Sequence, residues 1–309
     1  MTNKIRDLLF RFYRKCGRFI VRHSKNPRPS STPFLSGDTF RSLADHIYEP
    51  GQSFNPKSVK ERDIVFVESE LVEDFFATVH SVISFPYVLI THNGDRNIGE
   101  KEAEYLDEKI ICWFAQNNTF AHPKIIPLPI GLENMHYCNN GLPYFFEKVG
   151  GEKYQRKNRI LYGFSVSTNP QARQPALDAL ERLPSADKLT GWPTPPRYIE
   201  TLSQYGFIAS PEGNGLDCHR TWEALYLGVI PIVKRSRAME YFLDLGLPIW
   251  IIDNWPELDN YDKEGLEQKY KQMMAEAKTK PLFIEYWKDL LKKPYALNIK
   301  LTPVLKKHR

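Results

Sequence analysis

The sequence predicts an α/β fold, on three observations. Apolar runs of strand length alternate with helical segments over most of the 309 residues, the order that builds parallel, doubly wound Rossmann-like sheets with helices on both faces. The length fits two modest domains of this kind or one large one. The stretch Tyr205–Lys234, YGFIASPEGNGLDCHRTWEALYLGVIPIVK, reads as strand, polar loop, short helix and strand, a βαβ half-unit with glycines just ahead of the helix.

Residues 3–24, NKIRDLLFRFYRKCGRFIVRHS, space Ile5, Leu8, Leu9, Phe12, Cys16, Phe19 and Ile20 as a helix does, with Arg11, Arg14, Lys15, Arg18 and Arg22 between them. Such a basic amphipathic helix either lies in an anionic membrane interface or packs on the body through its apolar stripe, and the charge excess favours the membrane. Residues 1–28 hold nine Lys/Arg against one acidic residue, a local +8, whereas the other 281 residues carry 33 basic and 36 acidic groups, a net −3. The basicity belongs to one arm, which argues against a nucleic-acid surface spread over the body. Segment 26–32, with Pro27 and Pro29 among Ser/Thr, is a linker that closes the region 1–32.

Region 33–150 reads as a compact α/β domain. A first strand and loop are expected over 34–40 and a helix over 41–48. Strands follow at 63–68, 87–91, 110–115 and 124–129, with a helix over 71–83. Ligands sit off the carboxyl ends of strands in such sheets. Two polar loops are placed to meet one, Ser36–Thr39 with Asp38, and His92–Asp95. Gly131–Asn134 follows the last strand and can reach a cleft.

Segment 141–158 is turn-rich and charged and reads as a connector. Region 151–262 then opens with a strand at 159–164, the polar loop Ser165–Arg173 and a helix over 174–183, with a short helix over 198–204 before the central motif. Beyond it come the basic turn Lys234–Arg237, a strand at 247–252, one long charged helix over 266–291 spanning both domains, and a basic tail at 305–309. These last two make up region 263–309.

In the central motif Asp217 suits a helix N-cap and Gly228 its C-terminus. At about 100° per residue, His219, Arg220 and Glu223 share one side of the helix, while Cys218, Trp222 and Leu225 share the other. A helix N-terminus favours an anion, Arg220 adds a bidentate phosphate partner and His219 a second donor, and Glu223 accepts from ribose hydroxyls. Singly, each residue is more simply a solvated surface group. Together with the Gly213–Asn214–Gly215 loop they make a nucleotide diphosphate site.

The run SPEGNGLDCHRTWEALYLGVIPIV resembles the donor-binding segment of exostosin-like glycosyltransferases. Their pattern is a Pro–x–Gly loop, a downstream Arg, a Glu–Ala pair and Gly–x–Ile–Pro before a strand. Pro211, Gly213, Arg220, Glu223–Ala224, Gly228, Ile230 and Pro231 match it, and Leu247–Pro248 and Trp255 look like the counterparts of a later Leu–Pro and Trp. The resemblance implies a GT-B-like architecture of two Rossmann-like domains with a cleft between them. Residues 33–150 then form the acceptor side and 151–262 hold a nucleotide-sugar as co-substrate, without a cofactor. By position Ser165, Ser167, Thr168 and Arg173 resemble the loop under the donor phosphates.

An inverting enzyme of this kind needs a general base for the acceptor hydroxyl, and Asp38, Asp95 and His92 are the choices. Taken alone, each aspartate is more simply explained by turn chemistry. No Asp–x–Asp pair is present, so cationic side chains and a helix dipole are expected to neutralise the leaving diphosphate without a metal. The expected partners are the nucleotide-sugar, a glycan or lipid-linked acceptor in polysaccharide biosynthesis, and an anionic membrane surface through residues 3–24. No nucleic acid is expected. The alternative is a noncatalytic nucleotide- or carbohydrate-binding protein.

Cys16, Cys112, Cys138 and Cys218 are scattered, without metal-ligand spacing, and fit a reducing compartment. No apolar run approaches the ~20 residues that span a bilayer and no signal-peptide pattern is present. The expected location is therefore the cytoplasmic face of a membrane. Asn117–Asn118–Thr119 matches a glycosylation sequon, which has meaning only in a secreted chain.

Overall fold

The computed structural model describes residues 3–150 and 155–293. The basic tail 305–309 and residues 151–154 of the expected connector lie outside them. The chain is mixed α/β with two five-stranded, all-parallel sheets.

Helix α1 spans Asn3–Arg22. Where a strand was expected over 34–40, the chain instead makes a one-turn helix α2, Gly37–Arg41, with the Ser36 hydroxyl accepting from the Thr39 N–H at 3.1 Å. A Ser cap followed by Asp in the first turn outcompetes a ladder there. The expected helix over 41–48 is likewise replaced, by strand β1 at His46–Tyr48, whose pairing with β2 (Ile64–Glu68) is a tertiary contact that local sequence does not carry. Then come α3 (Val72–Asp74, continued by wider helical turns), β3 (Tyr87–His92), α4 (Glu100–Ala103), β4 (Ile110–Ala115) and β5 (Ile125–Pro127).

These strands lie in plain sequence order, β1-β2-β3-β4-β5. The expectation of a doubly wound first sheet is therefore corrected, since its winding never reverses. Right-handed crossovers then put all of its own connections on one face, where Val72, Phe75, Ile83 and Ile98 pack on Val65, Val67, Leu89 and Trp113. The opposite face, with Phe66, Ile90, Phe114 and Ile126, is covered by residues from much later in the chain, among them Trp222, Phe242, Trp287 and Leu291.

The expected connector contains a helix, α5, Pro143–Gly150. After it come β6 (Lys157–Tyr162), α6 (Pro170–Arg182), β7 (Ala186–Lys188), α7 (Pro195–Leu202), β8 (Tyr205–Ala209), α8 (His219–Tyr226), β9 (Ile230–Lys234), α9 (Arg237–Asp244) and β10 (Trp250–Ile252). The strand order is β7-β6-β8-β9-β10. This sheet is doubly wound, and its direction reverses between β6 and β8. The single long helix expected over 266–291 is two, α10 (Lys263–Ala275) and α11 (Ile284–Lys292), separated by residues 276–283, among them Pro281, which cannot donate inside a continuous helix. Helix α10 packs on the second sheet through Leu266, and α11 on the first through Trp287 and Leu291.

Helix α8 lies between the two sheets. Trp222 and Leu225 enter the core of the first, and Ala224 and Leu227 that of the second. Its end is fixed as its sequence predicts. Gly228 takes φ +67°, a left-handed conformation that a Cβ disfavours, and the N–H groups of Gly228 and Val229 return to Leu225 O and Ala224 O at 3.1 and 2.9 Å.

Candidate functional site

The reversal between β6 and β8 sets the loops after those strands side by side, the arrangement that opens a ligand crevice at the carboxyl edge of a sheet. Arg173, on α6, ties them together: its Nε donates to Glu212 O at 2.8 Å and its Nη1 to Ser165 O at 2.9 Å. Opposite stands the carboxyl edge of the first sheet. A cavity of about 400 Å³ lies between, and a neighbouring one of about 260 Å³ reaches toward the first sheet; Asp95, Ile130 and His219 line both.

Gly213, Asn214, Gly215, His219, Arg220 and Glu223 all line the larger cavity, with Arg173 and Thr168. The Arg220 Nη2 donates to Gly163 O at 3.0 Å. Neither Arg173 nor Arg220 has a carboxylate within 4.0 Å among the described residues. Burial is the main cause that lowers the pKa of Arg173, and the charge of Arg220 adds to it. Two guanidinium groups thus face one cavity and repel each other.

Glu223, one turn further along α8, is buried, and burial pushes its carboxyl up to about 7 against the pull of Arg220. The Tyr198 hydroxyl stands beside Glu223 and Arg220 and is buried. The Ser165 and Ser167 hydroxyls bond each other at 2.8 Å and do not line the cavity. Ser165 serves this site through its carbonyl. The basic turn after β9 also points elsewhere, Arg235 being paired with Asp253 and Glu240.

His219 differs from its expected part. Its Nδ1 lies 2.8 Å from Gly131 O, a carbonyl that only accepts, so Nδ1 carries a proton. Burial lowers the ring's pKa and favours the neutral form. A neutral ring then offers Nε2 as a proton acceptor, where a second donor to phosphate was expected.

Asp217 is not the N-cap. That position is Cys218, extended at φ −122° and ψ 140° and without a side-chain cap bond. The Asp217 carboxylate is buried and accepts from the Ile130 N–H at 2.8 Å and from Trp222 Nε1 at 2.8 Å, binding the loop ahead of α8 to the segment that follows β5. Burial raises it to about 7. From the other side Asn117 Oδ1 accepts from the Asp217 N–H at 3.0 Å. A Cβ on Gly215 would come within 2.6 Å of Asn117 Nδ2, so only glycine lets the loop approach. The sequon residue Asn117 is thus a buried clamp, not an exposed glycan acceptor.

On the first sheet the two expected polar loops do converge. Asn134 joins them, accepting from the Asp38 N–H at 2.7 Å and donating to Asn93 Oδ1 at 2.9 Å. The three expected bases fare differently. The Asp38 carboxylate is fully buried, with Arg28 Nη2 at 2.7 Å and His136 Nδ1 at 2.6 Å. Burial would raise its pKa, but His136 and Arg28 outweigh that and hold it low. His92 has both ring nitrogens engaged, Nε2 donating to Pro129 O at 3.1 Å and Nδ1 accepting from the Asn93 N–H at 2.7 Å, and burial lowers its pKa to about 4. The base roles expected of Asp38 and His92 are corrected on these grounds to positioning. Asp95 is exposed, lines both cavities, and its carboxylate has no hydrogen bond or ion pair among the described residues.

His136, Tyr198, Asn117 and the clamp by Asp217 are missed by sequence reasoning. Among the described residues no group of three or more His, Cys, Asp or Glu side chains is arranged to hold a metal ion. No protein-family model matches the chain, and no curated protein matches it.

Proposed function

We propose that this chain is a glycosyltransferase, moving a sugar from a nucleotide-sugar to a hydroxyl of a glycan or lipid-linked glycan. The observation that carries this reading is the pair Arg173 and Arg220, two cations without a carboxylate partner among the described residues, at the reversal point of a doubly wound sheet. A diphosphate between them relieves their repulsion and takes charge-assisted hydrogen bonds. Glu223, deeper in the same cavity, accepts from the ribose hydroxyls. Two parallel sheets whose carboxyl edges border one cleft support a GT-B arrangement.

In the reaction the acceptor oxygen forms its bond to the anomeric carbon as the bond from that carbon to the diphosphate oxygen breaks. The electron pair leaves with the diphosphate, whose growing charge Arg173, Arg220 and the α8 N-terminus stabilise without a metal. Asp95, where the cavities meet, takes the acceptor's proton.

Calorimetric titration with UDP, GDP, CDP, TDP and ADP in the presence of EDTA tests this. One nucleotide is expected to bind, and Arg220→Ala to weaken it about tenfold or more, about 1.4 kcal/mol. A folded protein that binds none of the five overturns the proposal. A bound nucleotide whose sugar conjugates are neither transferred nor hydrolysed favours the noncatalytic alternative.

A further inference from the structure

Helix α1 is held to the body by a narrow edge that is not its apolar stripe. Asp7 accepts from Thr194 Oγ1 at 2.6 Å and pairs with Arg197 at 3.1 Å, Phe10 is buried against Phe145 with ring centres 5.9 Å apart, and Arg18 Nε donates to Tyr137 O at 2.7 Å. Gly17 closes on Cys138, leaving 3.1 Å between a Cβ placed there and the sulfur.

At about 100° per residue, Asp7, Phe10 and Gly17 fall on one side, and the stripe from Leu8 through Phe12 to Ile20 falls roughly opposite. Leu8 and Phe12 are each 68% exposed, Phe19 66% and Ile20 65%. A helix that packed by hydrophobicity alone would hide these residues and expose the polar edge. Here specific polar contacts hold the edge inward and turn the stripe out.

The stripe's borders differ. Exposed Arg11, Lys15 and Arg22 follow one side. On the other, Leu9 and Tyr13 continue into an apolar hollow of about 690 Å³ shared with Leu142, Tyr144 and Phe145. A wide exposed apolar face with a basic margin complements the boundary between anionic headgroups and acyl chains.

We propose that α1 lies in the surface of an anionic lipid bilayer with Leu8, Phe12, Phe19 and Ile20 among the acyl chains and Arg11, Lys15 and Arg22 among the headgroups. The contacts of its opposite edge fix how the body stands on that surface. The inference rests on α1 and its contacts alone and is independent of the chemistry assigned to the cleft.

The test is sedimentation of the full chain with phosphatidylcholine vesicles, and with vesicles that also contain phosphatidylglycerol, at low and high salt. Binding is expected to be about tenfold tighter or more on the anionic vesicles and to weaken with salt. The triple change Leu8→Ser, Phe12→Ser, Phe19→Ser touches no body contact, so unfolding should stay as in wild type while vesicle binding falls about tenfold or more. Changing Arg11, Lys15 and Arg22 to Gln is expected to bring anionic binding down to the neutral level. No binding by the wild type, equal binding to both vesicles, or a triple variant that binds as wild type overturns the proposal. So does a dimer in light scattering that the triple change makes monomeric without any vesicle binding, because a second copy then covers the stripe.

Discussion

Arg173 and Arg220 share one aromatic neighbour, their guanidinium carbons standing 5.9 and 6.0 Å from the centre of the Phe164 ring. They are not equivalent. Arg173 donates to two carbonyls from different loops, Arg220 to one. Arg173→Gln is expected to cost about 1–2 kcal/mol of stability through lost bonds to buried carbonyls, and Arg220→Gln less than about 0.5 kcal/mol. Thermal unfolding with and without inorganic pyrophosphate checks the shared role. Pyrophosphate should raise the melting temperature of the wild type and protect both variants less. Equal protection of all three would remove the diphosphate from this cavity.

Among the described residues Asp95 has no partner for its carboxylate, so its replacement separates chemistry from folding. Asp95→Asn is expected to lower sugar transfer by about 10²–10⁴ while leaving nucleotide affinity and melting temperature as they are. Transfer assays beside nucleotide titrations measure both. A variant that retains wild-type turnover returns the proton to another acceptor, with His219 Nε2 next in line.

Asp38 is expected to behave in the opposite way. Its removal takes the partner from His136 and leaves Arg28 with Glu49 at 3.8 Å, so Asp38→Ala should cost about 1–3 kcal/mol. Its pKa is held below the ordinary value in the folded protein. The stabilisation is therefore complete above the ordinary carboxylate range and is lost as pH falls through the folded pKa. Urea unfolding of wild type and Asp38→Asn should show a stability gap that narrows in acid. A gap independent of pH would mean that the charge contributes nothing.

Asp217 reverses that sign. Burial raises its carboxyl to about 7, so its contribution is complete below the ordinary carboxylate range and is lost as pH rises through about 7. Asp217→Asn keeps an oxygen for the Ile130 and Trp222 N–H groups without the buried charge, and above pH 7 it should match or exceed the wild type in thermal unfolding. Asp217→Ala leaves both donors unpaired and should cost about 1–3 kcal/mol at any pH. An asparagine variant as weak as the alanine one would show that the charge itself holds the clamp.

What was legible in the sequence was what neighbours in the chain decide. The spacing of His219, Arg220 and Glu223 on one helical turn brings them to one cavity, and Gly228 ends that helix in the conformation glycine permits. The strands at β2, β3, β4, β6 and β8 follow from their apolar runs. What stayed hidden depends on distant partners. Asp217 reads as a cap because nothing local reveals Ile130 as its partner 87 positions away. Asp38 and Asp95 sit in similar turn sequences, and only the approach of Arg28 and His136 makes the first a buried ion pair while the second stays exposed. The winding of the first sheet could not be read either, because most of the helices on its second face come from the far end of the chain.

That last arrangement has a consequence for how the protein is made. During translation the first sheet is complete by β5, yet the face carrying Phe66, Ile90 and Phe114 has only Leu35, Phe40 and their neighbours to pack on it until Trp222, Phe242, Trp287 and Leu291 have been synthesised. The nascent chain is therefore expected to display part of this apolar surface until those residues emerge, a state open to early proteolysis. Ribosome-stalled chains of increasing length are expected to gain protease resistance only once α11 clears the exit tunnel, so residues about 160 positions downstream allow the first sheet to persist.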